Sequence, residues 1–285
     1  DIHGNLHFVN GPVASVGTNQ AGVLCLSTNG VCSGRSLGST YLVTGAGGMS
    51  GAGNLASSPH AMNLNVYAGM RGVRVDNAGN LHTLVDKDQT DFVTCLNPSG
   101  YCAKTNAGPN IVYSGAGTPG ETGRVYKGGL LADKPEDVAF DSYGNILYTT
   151  DDNRIYLRCA TTSGWCTAKV VGTVYTLAGG GGGYADGGLA TATTLNHPTG
   201  IAVDSDDNII FSDTGNNAVR IICHTNGAAT PLNMCASVIG TDVAAGGVAA
   251  TPNFIYRVAG GGGGYADGGL ATATTLNSPW GLRVD

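Results

Sequence analysis

Glutamate is almost missing from this sequence. Only Glu121 and Glu136 occur in 285 residues, and Lys and Arg together number 14. Helices draw on those side chains for their propensity, so long helices are not expected. Charged residues make up 12% of the chain, about half the usual share. The net charge of −6 gives no basic face for nucleic acid or anionic lipid, and no nucleic-acid partner is expected. No apolar run is long enough to cross a bilayer, so membrane insertion is not expected either. No Asn-x-Ser/Thr acceptor with x other than Pro is present, which excludes N-glycosylation of that type. No two cysteines stand in Cys-x-x-Cys spacing, so the close pairs of a zinc site and the haem-attachment motif are both absent. Neither an initiator Met nor a signal peptide precedes Asp1. The N-terminus is therefore expected to be processed, or the chain to be a segment of something longer.

What is present is glycine, 47 residues of it, and enough hydrophobic content (42%) for a packed core. There is also a repeat, and a repeat decides the architecture. The phrase Gly200-Ile-Ala-Val-Asp204-Ser-Asp-Asp-Asn208-Ile-Ile-Phe211 has relatives in Gly72-Val-Arg-Val-Asp76-Asn-Ala-Gly-Asn80-Leu-His82 and Val138-Ala-Phe-Asp141-Ser-Tyr-Gly-Asn145-Ile-Leu-Tyr148. A further copy is split between the termini: Gly281-Leu-Arg-Val-Asp285 ends the chain and Asp1-Ile-His-Gly-Asn5-Leu-His-Phe8 begins it. Asp1, Asp76, Asp141 and Asp204 each stand four residues before an Asn. The repeats run approximately 1–75, 76–140, 141–203 and 204–284.

Each copy reads as an apolar run, a tight Asp-x-x-Gly-Asn turn and a second apolar run. Gly4, Gly79 and Gly144 take a turn position that favours φ > 0, where Asp207 stands in the remaining copy. The Asp before the turn is placed to accept a bond from the backbone two residues on. A third strand follows, as in Arg154–Cys159 and Val219–Cys223. A fourth ends in glycines: Tyr41–Gly48, Ile111–Gly117, Val174–Gly180 and Ile255–Gly261. Four short strands per repeat predict an all-β fold, a single β-propeller with four blades of four antiparallel strands. Leu282–Val284 would supply the innermost strand of the blade that starts at Leu6, closing the ring by pairing the two ends. The same split also fits one unit of a longer tandem array.

The eight cysteines fall as Cys25/Cys32, Cys95/Cys102, Cys159/Cys166 and Cys223/Cys235, each pair just after a third strand. One pair per repeat at the same place predicts four local disulfides. The turn formers between them (Asn29-Gly, Pro98-Ser-Gly, Ser163-Gly, Asn226-Gly) bring the sulfurs into range. Such bridges imply an oxidising setting, extracellular or at a cell surface.

From Val174 to Ile222 the chain resembles the bacterial NHL repeat. Leu195-Asn-His-Pro-Thr-Gly-Ile-Ala-Val-Asp204 and Asp213-Thr-Gly-Asn-Asn217-Ala-Val-Arg220 carry the resemblance, with Leu276-Asn-Ser-Pro-Trp-Gly-Leu-Arg-Val-Asp285 beside them. The match is weaker where Lys134-Pro-Glu-Asp and Gly69-Met-Arg-Gly replace the Pro-x-Gly turn. The resemblance implies a β-propeller. Propellers of this family usually have about six shorter blades, and the common pattern lacks the cysteine pair.

Ala178–Asn196 recurs unchanged as Ala259–Asn277. A blade-to-blade connection is expected; the run of glycines resembles a phosphate cradle, but no Lys-Ser/Thr follows it. His7 and His82 are expected on a strand face, while His3, His60, His197 and His224 share no ligand spacing. Asp204–Asn208 is oxygen-rich but lacks the Gly and distal Glu of a calcium loop, so a turn is expected. Arg74 and Arg283 stand where other copies have Ala139 and Ala202. They are candidates to line a channel, or to pair with a turn Asp. No cofactor is expected.

The expectation is a non-enzymatic extracellular structural or adhesive module, with self-association into a fibre or array as one form. Two alternatives stand: a secreted metal-dependent lyase or hydrolase, and a carbohydrate or peptide binder using Trp165, Tyr184, Tyr265 and Trp280.

Overall fold

A computed structural model describes residues 6–10, 20–29, 32, 34–44, 70–85, 90–95, 124–130, 134–184, 186–224, 235, 251–264 and 267–284. The chain divides into two compact units, Asp1–Pro135 and Glu136–Asp285. Among the described residues the elements are sixteen strands and short 3-10 turns.

The first unit holds two antiparallel sheets. One has the order β1 (Leu6–Asn10), β2 (Gln20–Leu24), β3 (Thr40–Thr44). The other has the order β4 (Met70–Val75), β5 (Leu81–Val85), β6 (Thr90–Cys95), β7 (Arg124–Leu130). In the second sheet the fourth strand is β7, not the Ile111–Gly117 phrase, which lies outside the described residues. Val125-Tyr126 followed by Gly128-Gly129 offers the same apolar run ending in glycines, and it is this run that pairs with β6.

In the second unit, the first sheet comprises β8 (Pro135–Phe140), β9 (Ile146–Thr150), β10 (Arg154–Arg158) and β11 (Val174–Gly179). The other is built from β13 (Pro198–Val203), β14 (Ile209–Asp213), β15 (Ala218–Ile222) and β16 (Phe254–Gly260), with the two-residue β12 (Gly188–Leu189) added beyond β16. These two sheets share a core in which Leu147, Ile155, Leu157, Ile201, Ile209, Phe211 and Ile222 are buried together. Strands β9 and β14 are buried along their whole length, as expected of sheets covered on both faces.

All four sheets repeat one irregularity. The register between the last two strands of each repeat slips by one residue, at Ala21/Gly22, Thr90/Phe92, Ile155/Tyr156 and Val219/Arg220. Such a bulge increases local twist.

The turns form as the sequence predicts. Gly79, Gly144 and Asp207 have φ of +88°, +79° and +62°. Asp76 Oδ1 accepts from Ala78 N, Asp141 Oδ1 from Tyr143 N and Asp204 Oδ1 from Asp206 N.

The ring closure expected from pairing Leu282–Val284 with the sheet that starts at Leu6 has no counterpart among the described residues, where no sheet is closed. Sheet β1–β2–β3 has three strands among the described residues, and 281–284 form none. Instead Leu282 and Val284 pack against Ile210, Ile221 and Tyr256. Thr199 Oγ1 and Gly200 N hold the Trp280 carbonyl, each at 2.8 Å.

Three of the four expected disulfides are present: Cys25–Cys32, Cys159–Cys166 and Cys223–Cys235, with Cα separations of 5.5–5.9 Å. The fourth, expected to join Cys95 to Cys102, is not among them. Cys95 ends strand β6, but Cys102 lies outside the described residues. Replacing Cys159 and Cys166 together by Ser should lower unfolding free energy by about 2–3 kcal/mol on the chain-entropy argument. Guanidinium titration of the variant against the oxidised parent measures it.

Candidate functional site

The polar groups that recur in each repeat converge on two places, the Asp-x-x-x-Asn turns and the junctions between successive sheets. At the turns, the Asn closes what the Asp opens. Asn145 Nδ2 donates to Asp141 Oδ2 at 2.7 Å and to the Ser163 carbonyl at 2.8 Å. Its Oδ1 accepts from Ala160 N, Thr161 N and Thr161 Oγ1. One buried side chain thus ties the turn to the Cys159–Cys166 loop. Asn80 and Asn208 repeat the bond to Asp76 and Asp204, and Asn208 Oδ1 accepts from His224 N. Sequence reading found the Asp and missed this second half, although the fixed four-residue spacing signalled it.

Asp207 does more than tolerate a left-handed backbone. Its carboxylate accepts from Ser142 N at 2.6 Å and Ser142 Oγ at 2.7 Å, and its carbonyl accepts from Trp165 Nε1 at 2.7 Å. Trp165, expected to be an exposed binding aromatic, is instead buried and packs against His224, with ring centroids 4.8 Å apart and the planes tilted by 47°. Its indole N–H has a partner there, which is the condition for burying a tryptophan.

The carboxyls of the turns are tuned in opposite directions. Burial works to raise Asp76, but the imidazole of His82, with Nε2 3.6 Å from Oδ2, and the bonds from Asn80 outweigh it and hold the pKa below the usual value. At Asp141 burial wins; the Asn145 bonds oppose it, the nearby Asp207 charge adds to it, and the pKa is raised. The linkage signs follow. Stability from Asp76 is present above its unfolded pKa and is lost as pH falls through the folded one. Asp141 favours the fold on the acid side, and that contribution is lost as pH rises through its folded pKa.

At the junctions, the Asp213–Arg220 motif is a connector. Arg220 is fully buried; Nη1 lies 3.3 Å from Asp213 Oδ2, and the guanidinium sits 4.3 Å from the Tyr184 ring centroid. The Asp213 carboxylate also takes Asn196 N and Asn216 Nδ2, each at 2.8–2.9 Å. Asn217, at φ +53°, accepts from Ser278 N at 2.9 Å. Asn153, at φ +65°, accepts from His197 N at 2.6 Å in the same way. The left-handed Asn153 therefore grips the residue just before β13, and Asn217 grips the segment that follows the second linker.

The twin linkers are also filled by the chain itself. A Cβ on Gly181 would overlap the Ala192 carbonyl, and one on Gly262 the Ala273 carbonyl. Thr194 N donates to the Gly183 carbonyl, as Thr275 N does to that of Gly264. The glycine run is closed by backbone where a phosphate cradle would be open.

Of the two candidate channel arginines, Arg283 is 62% exposed and approaches Asp137 Oδ2 at 3.9 Å. Its acidic neighbour is thus a residue of strand β8, not the turn Asp expected from sequence. Asp137 is available there because it occupies the Gly200 position of its own repeat, at the start of the strand. Arg74 Nη1 donates to the Val73 carbonyl at 2.7 Å. His82 is buried on its strand, and Tyr184 and Trp280 are 47% and 54% exposed. His3, His60, Cys102 and Tyr265 lie outside the described residues. Among the described residues no group of three His, Cys, Asp or Glu is placed to hold a metal ion, and no helix is long and apolar enough to cross a membrane.

Two results are expected from these contacts. Asp207→Asn removes a like charge from Asp141, so the Asp141 carboxyl should titrate at lower pH, followed by carbon-detected NMR. Gly181→Ala should destabilise the fold by at least ~1 kcal/mol through backbone overlap. Gly182→Ala, which meets nothing within 4 Å, should be close to neutral in the same thermal melts.

The NHL repeat family matches residues 195–222, the stretch that holds β13, the turn, β14, the Asp213–Arg220 connector and β15. No curated protein matches the chain. Among solved structures, a protein of unknown function from Bacteroides thetaiotaomicron is 12% identical with a TM-score of 0.52, over 94% of this chain and 49% of that one. An auxiliary nutrient binding protein from the same organism is 16% identical with a TM-score of 0.45, over 75% of this chain and 42% of that one. A nidogen/laminin complex structure is 13% identical with a TM-score of 0.42, over 79% and 60%. This chain spans less than half the length of the two Bacteroides proteins. The likeness concerns fold alone, an all-β propeller-like one, and the NHL repeat is matched in residues 195–222, in a chain where three of the sheets carry a bridged cysteine pair.

Proposed function

We propose that the chain is a non-enzymatic extracellular module, structural or adhesive, that acts by presenting a hardened array of blades. The observation that carries this is where its buried polar groups are used. Asp141, Asn145, Asp207, Asp213 and Arg220 are each engaged in tying a turn, a disulfide loop or the next sheet. Groups so engaged give rigidity and are not free to bind or turn over a substrate. The three disulfides suit an oxidising environment, and two of them, Cys159–Cys166 and Cys223–Cys235, reinforce the same loops that Asn145 and Asn208 hold. A subunit of a surface fibre is the finer form of this proposal.

A ligand-binding role is favoured by one observation. Trp280 is exposed beside His197, with ring centroids 6.1 Å apart in an edge-on arrangement, a surface suited to the apolar face of a sugar or to a peptide aromatic.

Surface labelling of intact cells with an antibody to the folded chain tests the proposal, together with non-reducing mass analysis of the material recovered. The expected result is surface or medium location with all eight cysteines bridged, Cys95 to Cys102 included. A reduced chain confined to the cytosol, or steady turnover of a lactone or lyase substrate by purified material, would overturn it.

A further inference from the structure

We propose that Thr191 is the acceptor of an O-linked sugar, and that Thr272 is its twin in the second linker. The inference rests on the extracellular-module reading and adds a modification site to it.

The linkers are identical from Ala178 to Asn196 and from Ala259 to Asn277, although the blades around them have diverged. Much of that identity has a visible structural use. Gly181 and Gly262 leave room for the Ala192 and Ala273 carbonyls. Thr194 Oγ1 donates to the Gly181 carbonyl at 2.8 Å, and Thr275 Oγ1 to that of Gly262 at 2.8 Å. Thr193 Oγ1 reaches the Gly183 carbonyl at 3.5 Å, and Thr274 Oγ1 that of Leu270 at 3.3 Å. In each Ala-Thr-Ala-Thr-Thr run the last two threonines thus bond their hydroxyls to the linker's own backbone.

The first threonine of the run does not. Thr191 stands exposed in the middle of the 3-10 turn Ala190–Ala192, and its hydroxyl has no partner among the described residues. Thr272 takes the same place in the turn Ala271–Ala273, partly exposed and likewise without a partner among them. Alanines flank both, so no bulky neighbour in sequence screens the hydroxyl from an enzyme. Leu189 and Leu270, two residues earlier, are exposed and offer an apolar surface to the carbon face of a sugar ring. A threonine kept in both copies, turned to solvent and unused by the fold, fits chemistry at the surface rather than packing. The chain has no Asn-x-Ser/Thr acceptor, which leaves hydroxyls as the ordinary points of attachment.

The step is a glycosyl transfer from a nucleotide-activated sugar. Thr191 Oγ1 forms a bond to the anomeric carbon, and the bond from that carbon to the diphosphate breaks. The nucleoside diphosphate leaves with the electron pair, and a base of the transferase takes the hydroxyl proton. A bulky, hydrated group at this turn shields the glycine run, an exposed small-residue loop of the kind that proteases cut.

The test is the intact mass of the chain recovered from its own cells and their medium, followed by peptide sequencing that keeps sugars attached. The expected mass exceeds that of the oxidised sequence by whole sugar residues, carried on Thr191 and Thr272. Peptides that run on into His197 or Ser278 tell the two linkers apart. Thr191→Ala with Thr272→Ala, made in the same cells, should lose the added mass. Thr194→Ala with Thr275→Ala should keep it and melt at a lower temperature, because those hydroxyls close the linker. A chain with the mass of its sequence overturns the proposal, as does sugar confined to other residues. An unmodified chain found outside the cell with its bridges intact overturns the sugar alone and leaves the module standing, whereas a reduced cytosolic chain overturns both.

Discussion

A carboxylate taken out of water must be saturated with donors, and the Asp-x-x-x-Asn turn meets that demand from three sides. Two turn amides and the Asn side chain converge on Asp141, and the same set returns at Asp76 and Asp204. Because the Asn must reach back to its Asp, the turn cannot slip by a residue. A slip would also send every strand side chain to the wrong face. The turn therefore sets the register of the first hairpin of each blade, and the core of the second unit follows from it. Asn145 then extends the same constraint to the third strand's exit, where the disulfide closes.

The blade's skeleton was legible because it is written several times over. One copy of Gly-Ile-Ala-Val-Asp proves little, but aligned copies expose the turn, the strands and the place of the cysteines. Legibility failed where copies differ or where a partner comes from far along the chain. Trp165 looked like a surface aromatic because its acceptor, the Asp207 carbonyl, lies 42 positions away. Asp207 looked like a stand-in for glycine, and its hold on Ser142 has no counterpart in the copies that have glycine there. The fourth strand of the second sheet was misplaced because two glycine-ended phrases compete within one long connection. The acidic neighbour of Arg283 was missed because Asp137 occupies what is a glycine position in the other repeats.

The motif that resembles the NHL family has a physical use in this chain. Asp213 and Asn217 stand at the two ends of one short turn, and each engages the polypeptide that leads into or out of its sheet. Asn suits the second of these positions because it accepts a left-handed backbone and still carries a side-chain carbonyl. A glycine would allow the backbone and lose the grip. The repeat is thereby defined as much by its couplings as by its strands.

The bulge that recurs between the last two strands of each repeat bears on solubility at high local concentration. A flat outer strand exposes an unbroken row of amides and carbonyls, and any extended peptide can zip onto it. Here the row is interrupted and twisted in all four sheets. What docks in the one observed case is a two-residue strand, held further by the bond from Arg257 N to Asp186 Oδ1. Such an edge discriminates by shape before it discriminates by sequence. A short linker strand can pair at such an edge, whereas a long extended strand cannot zip along it.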